Sequence, residues 1–507
     1  MKKNYLKIVL SVGFILFIAF HYVSAQANSI VDTGQVRCYG NSGEILCPKP
    51  GEPFYGQDAN YQGVLPLYKD NGDGTITDLN TGLIWSKAVD KTKLSLDEAK
   101  ALAAKMNLAG YDDWRVPDIK ELYSLIDFRG NTGSGGGMMS SIPSNAVPFI
   151  NTDFFDFEYG DTGAGERYID AQWLSSTQYV STTMAGNKTL FGVNFADGRI
   201  KGYGYRRPGS FKDGKKFFVR YVRGNEYGKN VFVDNGDGTV TDKSSGLMWT
   251  QQTTGGAMNW QDALKYAEKL IYAGYNDWRL PNIKELQYIV DYSRSPDTTD
   301  SPAIDPIFQL SVVKNEDGKK DYPYIWSSTT HLDGPRPGLQ AAYVSFGRAM
   351  GKMRGRIMDV HGAGAQRSDP KTGSPMSRGP QGDMVRVENF VLCVRGGVAE
   401  MLSGINENRN VYPYNFRVQQ VQQYDRQDKR QDNRQYQQQG FSGFSQEQSD
   451  GGQSHGQRFI KRLDKNGDGK VSKMEFDGPK ERFSHHDRNN DGYIDEDEAP
   501  QGPPPGK

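Results

Sequence analysis

The segment DNGDGTITDLNTGLIW, Asp70–Trp85, returns as DNGDGTVTDKSSGLMW, Asp234–Trp249, and that pair decides how the chain is organised. The same offset carries AGYDDWRVPDIKELYSLID, Ala109–Asp127, onto AGYNDWRLPNIKELQYIVD, Ala273–Asp291, so two homologous units are present rather than one chance motif. Later landmarks repeat with drifting offsets. Trp173-Leu174-Ser175-Ser176-Thr177 answers to Trp326-Ser327-Ser328-Thr329, VNFADG from Val193 to VSFGRA from Val344, and VRYVRG from Val219 to VLCVRGG from Val391. Each unit spans roughly 150–170 residues, the size of one domain.

Within a unit the local signals agree on an α+β class. Asn and Gly of DNGDG lie between alternating apolar stretches, which is hairpin chemistry because both residues tolerate positive φ. Neither DNGDG segment carries carboxylates at every alternating position or a glutamate at the twelfth, so a turn is expected there rather than a calcium loop. Ser95 with Glu98, and Asn259 with Asp262, have the spacing that opens a helix. Asp118 with Glu121, and Asn282 with Glu285, open a second, shorter one after a proline. Leu122, Leu125, Ile126 and their partners Leu286, Ile289, Val290 fall on one helical face, most simply core. The remainder reads as short strands joined by long loops. The expected fold is therefore two homologous domains of short strands with two helices each.

These motifs resemble the Lcl C-terminal domain family, known from a bacterial collagen-like adhesin. The resemblance rests on DNGDGT, Gly-Leu-x-Trp, the Gly-Tyr-x-Asp-Trp-Arg-x-Pro-x-x-Lys-Glu-Leu core, Trp-Ser-Ser-Thr and the terminal Val-Arg pair, and covers roughly residues 60 to 397. It implies an extracellular or cell-surface binding module, a C-type-lectin-like architecture and, by analogy with the named adhesin, sulfated polysaccharide as a ligand class. Fold similarity does not by itself establish a ligand.

The boundaries follow. Lys2, Lys3 and Lys7 precede an apolar run from Ile8 to Phe20, and Val23-Ser24-Ala25 offers a small-residue cleavage site, so residues 1–25 read as a signal peptide. An uncleaved anchor is the rival, but the run falls short of the roughly 20 residues that span a bilayer. No later segment is apolar enough to cross a membrane, so a secreted, periplasmic or bacterial cell-surface location is expected. Residues 26–59 form a leader in which Cys38 and Cys47 are expected to pair. Residues 60–227 and 228–400 are the two repeats. Residues 401–456 form a linker rich in Gln, Arg, Asp, Ser and Gly, expected to be disordered, as is the tail 501–507.

Residues 457–500 carry the most specific pattern in the chain. Asp464, Asn466, Asp468, Gly469, Ser472 and Glu475 occupy positions 1, 3, 5, 6, 9 and 12 of an EF-hand loop, with Lys470 giving its carbonyl at position 7. Asp487, Asn489, Asp491, Gly492, Asp495 and Glu498 repeat the set, with Tyr493 at position 7 and Ile494 matching Val471. A hard cation needs several oxygens around one point, and the glycine allows the turn that gathers them. Two calcium ions are expected. Gly478-Pro479 and the short spacing between the loops leave room only for one-turn or two-turn helices, so a small helical EF-hand pair with Phe459, Leu463 and Phe483 as core should depend on its metal.

Basic residues gather between the last strands of each repeat. Arg199, Lys201, Arg206, Arg207, Lys212, Lys215 and Lys216 lie in the first, and Arg348, Lys352, Arg354, Arg356, Arg367, Lys371 and Arg378 in the second. A solvated surface is the plain reading, and recurrence favours a site for an anionic polysaccharide or other cell-surface ligand. With 61 Lys+Arg against 61 Asp+Glu there is no net charge, so no nucleic-acid partner is expected. The six histidines show no metal spacing, no nucleophile elbow is present, and Cys393 sits in an apolar run, so no enzyme is expected. The functional readings are a secreted calcium-binding protein with adhesin-like domains, an enzyme-like modifier on the same fold, or a structural calcium-dependent envelope or matrix component.

Overall fold

A computed structural model describes residues 30–134, 141–206, 215–334, 336–379 and 381–400, and in the C-terminal region 460, 463–464, 468–473, 475–476, 483, 486–489, 491–495 and 498–499. The chain divides into two compact units, Met1–Phe416 and Arg417–Lys507. The signal segment 1–25, the linker 401–456 and the tail 501–507 lie outside the described residues, as do Arg207, Lys212, Phe459 and Asn466. No helix among the described residues is long and apolar enough to cross a membrane.

Each DNGDG is a hairpin. In the first repeat β1 (Tyr68–Asp70) pairs antiparallel with β2 (Thr75–Asp78), Asp70 opposite Ile76. Gly72 and Gly74 take φ of 77° and 87°, which a residue with Cβ adopts only under strain. The Asp70 carboxylate accepts from Gly72 N–H and the Asp73 carboxylate from Thr75 N–H, so these acidic groups close the turn. β3 (Ile84–Ser86) completes the meander, and β7 (Val222–Arg223) returns from the far end of the repeat to pair with it.

Between these strands lie α1 (Leu96–Ala103) and α2 (Ile119–Ser124), each opened by a full capping box, Ser95 with Glu98 and Asp118 with Glu121. Three long strands follow: β4 (Gln172–Thr183), β5 (Asn187–Asn194) and β6 (Arg199–Arg206). The second repeat copies the plan with β8 (Phe232–Asp234), β9 (Thr239–Asp242), β10 (Leu247–Thr250), α3 (Trp260–Lys269), α4 (Ile283–Tyr288), β11 (Tyr324–His331) and β12 (Gln340–Ser345). A short hairpin, β13 (Met350–Met353) and β14 (Arg356–Asp359), precedes β15 (Gln366–Pro370), and β16 (Val394–Arg395) closes on β10. The described chain is thus mostly β, with four α-helices, two per repeat.

The repeats are not beads on a string. β6 and β15 pair antiparallel at Ile200 and Gln366, giving one six-stranded sheet in the order β11-β12-β15-β6-β5-β4. Equivalent strands therefore meet head to tail at the centre, and one core takes Trp85 and Trp173 from the first repeat with Trp249 and Ile325 from the second. A smaller cluster under the longer helix serves each repeat separately.

The equivalence of the Trp-Ser-Ser-Thr strands needs correction. Ser175 Oγ donates to Phe191 O at 2.6 Å and Ser327 Oγ to Ala342 O at 2.7 Å, so those serines correspond. Trp173 then corresponds to Ile325, both in the shared core, and Leu174 to Trp326, both in the cluster under the helix. A strand shows alternate residues to opposite faces, so a one-residue shift sends the two tryptophans to different cores.

The leader is part of this unit. Cys38 and Cys47 form a disulfide beneath a two-residue ladder, Cys38–Tyr39 on Glu44–Ile45. Gln35 exchanges two hydrogen bonds with the Thr330 backbone, fastening the leader to β11 of the second repeat.

Candidate functional site

The polar residues of the repeated motif are consumed by the fold. Arg115 forks onto Glu121 with two bonds of 2.6 Å, and Arg279 onto Glu285 at 2.7 and 2.6 Å, while each glutamate also caps its own helix. Arg223 pairs with Asp113 and stacks on Tyr111 at 3.7 Å, and Arg395 does the same with Asp277 and Tyr275. The Gly-Tyr-x-Asp-Trp-Arg core is therefore a clamp that closes the last strand onto the helix pair. Arg220, fully buried, donates to the carbonyls of Ser86, Lys87 and Asp156 under the rings of Phe155 and Trp173.

Most of the basic residues are also engaged by the protein itself. Lys201 lies inside β6, paired with Asp197 at 2.5 Å, and burial pulls its ammonium down to about 8. Arg199 donates to Asp333 at 2.6 Å and to Ser368 Oγ at 2.9 Å. Arg348 is held by Asp297 and Asp321, Arg367 by Asp383 and His361, and Lys371 is buried over the Trp260 ring at 4.0 Å. The expectation of one solvated basic loop per repeat thus gives way to residues with internal partners: carboxylates for Arg199, Lys201, Arg348 and Arg367, and Tyr39 O with Thr330 Oγ for Lys371. Arg206 and Lys216 are exposed but pair with Asp97 and Glu98, and Lys215 sits over Tyr203 at 4.6 Å.

The Arg378 side chain lies outside the described residues, and of the cluster residues with described side chains Lys352, Arg354 and Arg356 remain. They crowd the tip of the β13–β14 hairpin, where Met353 opposes Arg356 and Arg354 takes φ of 50°. All three are exposed, and no carboxylate pairs with them among the described residues.

The two histidines of the repeats and Cys393 are core groups. His331 packs edge-on against Phe128 and Phe149, and burial pulls it down to about 3. His361 is held between Gly202 O and Asp383, and burial, with Arg367 beside it, lowers it. Cys393 is buried and burial raises its thiol well above the ordinary range.

In the C-terminal unit β17 (Val471–Ser472) pairs antiparallel with β18 (Tyr493–Ile494), Val471 opposite Ile494. Ile460, Leu463, Val471, Phe483, Ile494 and Ala499 form its small core. Gly469 and Gly492 take φ of 79° and 86°, and their N–H groups donate to Asp464 at 2.8 Å and Asp487 at 3.1 Å, the first residues of their loops. Lys470 N–H donates to Asp468, and Ser472 N–H and Oγ donate to Glu475. In the second loop Tyr493 N–H donates to Asp491, Asp491 N–H to Asn489 Oδ1, Asn489 N–H to Glu498, and Glu498 N–H to Asp495. One carboxylate oxygen from each of Asp487, Asp491 and Glu498 lies within 4.8 Å of the others, and Asp487 Oδ1 is buried with no hydrogen bond among the described residues. Such a set, oxygen-only and converging across a glycine turn, fits a hard divalent cation.

Fold and motif together define a tandem-repeat domain with both repeats built into one sheet. The family model described as the Lcl C-terminal domain matches residues 74–223 and 238–360, more than half of the sequence, and the chain belongs to that family. No curated protein and no solved structure matches it.

Proposed function

We propose that this is a secreted or cell-surface binding protein whose C-terminal unit takes two calcium ions through paired EF-hand loops. The observation that carries the reading is the convergence of Asp487, Asp491 and Glu498 on one point beside a buried, unbonded Asp487 oxygen. The β17–β18 bridge supports a paired arrangement, because it couples position 8 of one loop to position 8 of the other. Residues Asp464, Asn466, Asp468, Lys470, Ser472 and Glu475 would hold one ion and Asp487, Asn489, Asp491, Tyr493, Asp495 and Glu498 the other. Calorimetric titration of the full chain with calcium should give two ions per chain. A Glu475→Gln, Glu498→Gln double variant with unchanged heat would sink the reading.

The adhesin-like repeats favour a surface or secreted setting, and two helices per repeat against antiparallel strands suit a C-type-lectin-like description. The ligand-binding reading narrows to the hairpin tip. Lys352, Arg354 and Arg356 offer charge to an anionic polysaccharide without breaking an internal ion pair, whereas recruiting Lys201 or Arg348 would strip a buried aspartate of its partner.

A further inference from the structure

One place in the sheet-sharing unit is filled on one side and open on the other. On the filled side the leader enters between the repeats. Phe128 N–H donates to Thr33 O at 2.8 Å, and Lys284 Nζ donates to Asp32 O at 3.0 Å. Thr329 Oγ accepts from Ile283 N–H at 3.0 Å and donates its own hydroxyl to the Asp58 carboxylate at 2.5 Å, to which Thr33 Oγ also donates at 2.8 Å. Asp32, Thr33, Gln35 and Asp58 are all buried there.

The repeat supplies two of these fittings again, from Tyr292 and Thr177, while Lys120, the counterpart of Lys284, is engaged by the chain itself. Thr177 Oγ accepts from Ile119 N–H at 3.0 Å, as Thr329 does from Ile283. Its proton has no acceptor among the described residues, and neither has the Tyr292 N–H. Lys120 donates to Gly228 O and Asn230 Oδ1, both at 2.9 Å. Between them lies a cleft of about 420 Å³ lined by Thr177, Lys120 and Tyr292.

We propose that this cleft binds an extended, basic peptide strand from a different protein, laid in as the leader is laid into the opposite groove. A second copy of the chain is a poor occupant, because every copy brings one leader and two such grooves. Leader exchange between copies fills no additional groove. The chemistry of the strand follows from the lining. Asp118, Glu226, Asp291 and Asp305 outnumber Lys120 and Lys229. Asp127, on the filled side, holds the Arg129 guanidinium, but Asp291 has Ser293 in that place, bonded through one carboxylate oxygen only. A lysine or arginine on the incoming strand takes the position Arg129 holds next to Asp127. Its main-chain carbonyl meets Tyr292 N–H, and an acceptor on it meets the Thr177 hydroxyl.

The test uses the full chain and two labelled octapeptides in fluorescence anisotropy at low salt, one copying residues 30–37, IVDTGQVR, the other carrying Gly34→Lys, because Gly34 is the leader residue that lies against Asp127 and Arg129 on the filled side. Both should bind one per chain, the lysine peptide about tenfold tighter, as one partly buried ion pair warrants. Thr177→Val should weaken both about tenfold. Because that change also removes the acceptor for Ile119 N–H, Asp291→Asn serves as the second variant. It keeps an acceptor for Ser293 and should abolish only the preference for lysine. Absence of saturable binding by either peptide at millimolar concentration overturns the proposal, and so does binding that neither variant alters.

Discussion

Arg279 and Glu285 face each other through a two-bonded fork with both side chains only 4% exposed, whereas Arg115, in the equivalent fork with Glu121, is 36% exposed. The chemistry is the same and the surroundings differ. Truncating one partner of a fully desolvated pair leaves a buried charge, which costs about 3–5 kcal/mol. Arg279→Ala should therefore lower the unfolding free energy of the repeat unit, read from urea denaturation, by that much. Arg115→Ala should cost less, because water reaches the vacated position and solvates Glu121. Equal losses in the two variants would show that access to water does not set the cost.

The leader groove makes stability depend on pH. Burial, and then Asp32 nearby, pushes the Asp58 carboxyl up to about 7. An acid whose folded pKa is raised binds its proton more tightly when folded, so its contribution is fully present below the unfolded pKa of about 4. That contribution is lost as pH rises towards 7. Asp58→Asn keeps an acceptor for Thr33 and Thr329 but cannot ionise. Thermal midpoints at pH 5 and pH 8 should show the variant gaining on the parent at the higher pH. A constant difference between them would refute the assignment.

Much of this was legible beforehand, for a physical reason that also marks where legibility ends. Turn glycines, capping boxes and the repeat are local, and a few adjacent residues determine them: Gly72, Ser95 with Glu98, and Asn282 with Glu285 all stand where the sequence puts them. Charge pairing is not local. Lys201 meets Asp197 from the turn just before its own strand, yet Arg199 meets Asp333 across the seam between repeats, and no spacing rule announces that contact. The two tryptophans of the Trp-Ser-Ser-Thr motif likewise look equivalent until the serine bonds fix the register.

The hairpin tip predicts an experiment on polyanion binding. Serine at Lys352, Arg354 and Arg356 together should cut retention on a heparin column and leave stability nearly unchanged, since exposed charges away from ion pairs contribute little to folding. Retention in the parent should fall steeply with salt. Lys201→Ser should do the reverse, lowering the melting temperature while leaving retention in place. Unchanged retention in the triple variant would remove the hairpin as the site.

Calcium affinity in the C-terminal unit should respond more to a residue that touches no ion than to one at a ligand position. Ile494 is fully buried in a core of very few side chains and pairs with Val471 across the bridge, so Ile494→Ala opens a cavity worth about 2–5 kcal/mol. In a unit this small, folding and metal binding draw on the same free energy. Both sites should then lose affinity, by about tenfold or more, in calorimetric titration of the full chain. Tyr493 stands at position 7 of the proposed loop, where the main-chain carbonyl and not the side chain would be the ligand, and its side chain is 42% exposed. Tyr493→Ala should leave the affinity within about twofold. If Tyr493→Ala proves the more damaging of the two, the ring serves the site directly and the loop is not an EF-hand of the usual kind.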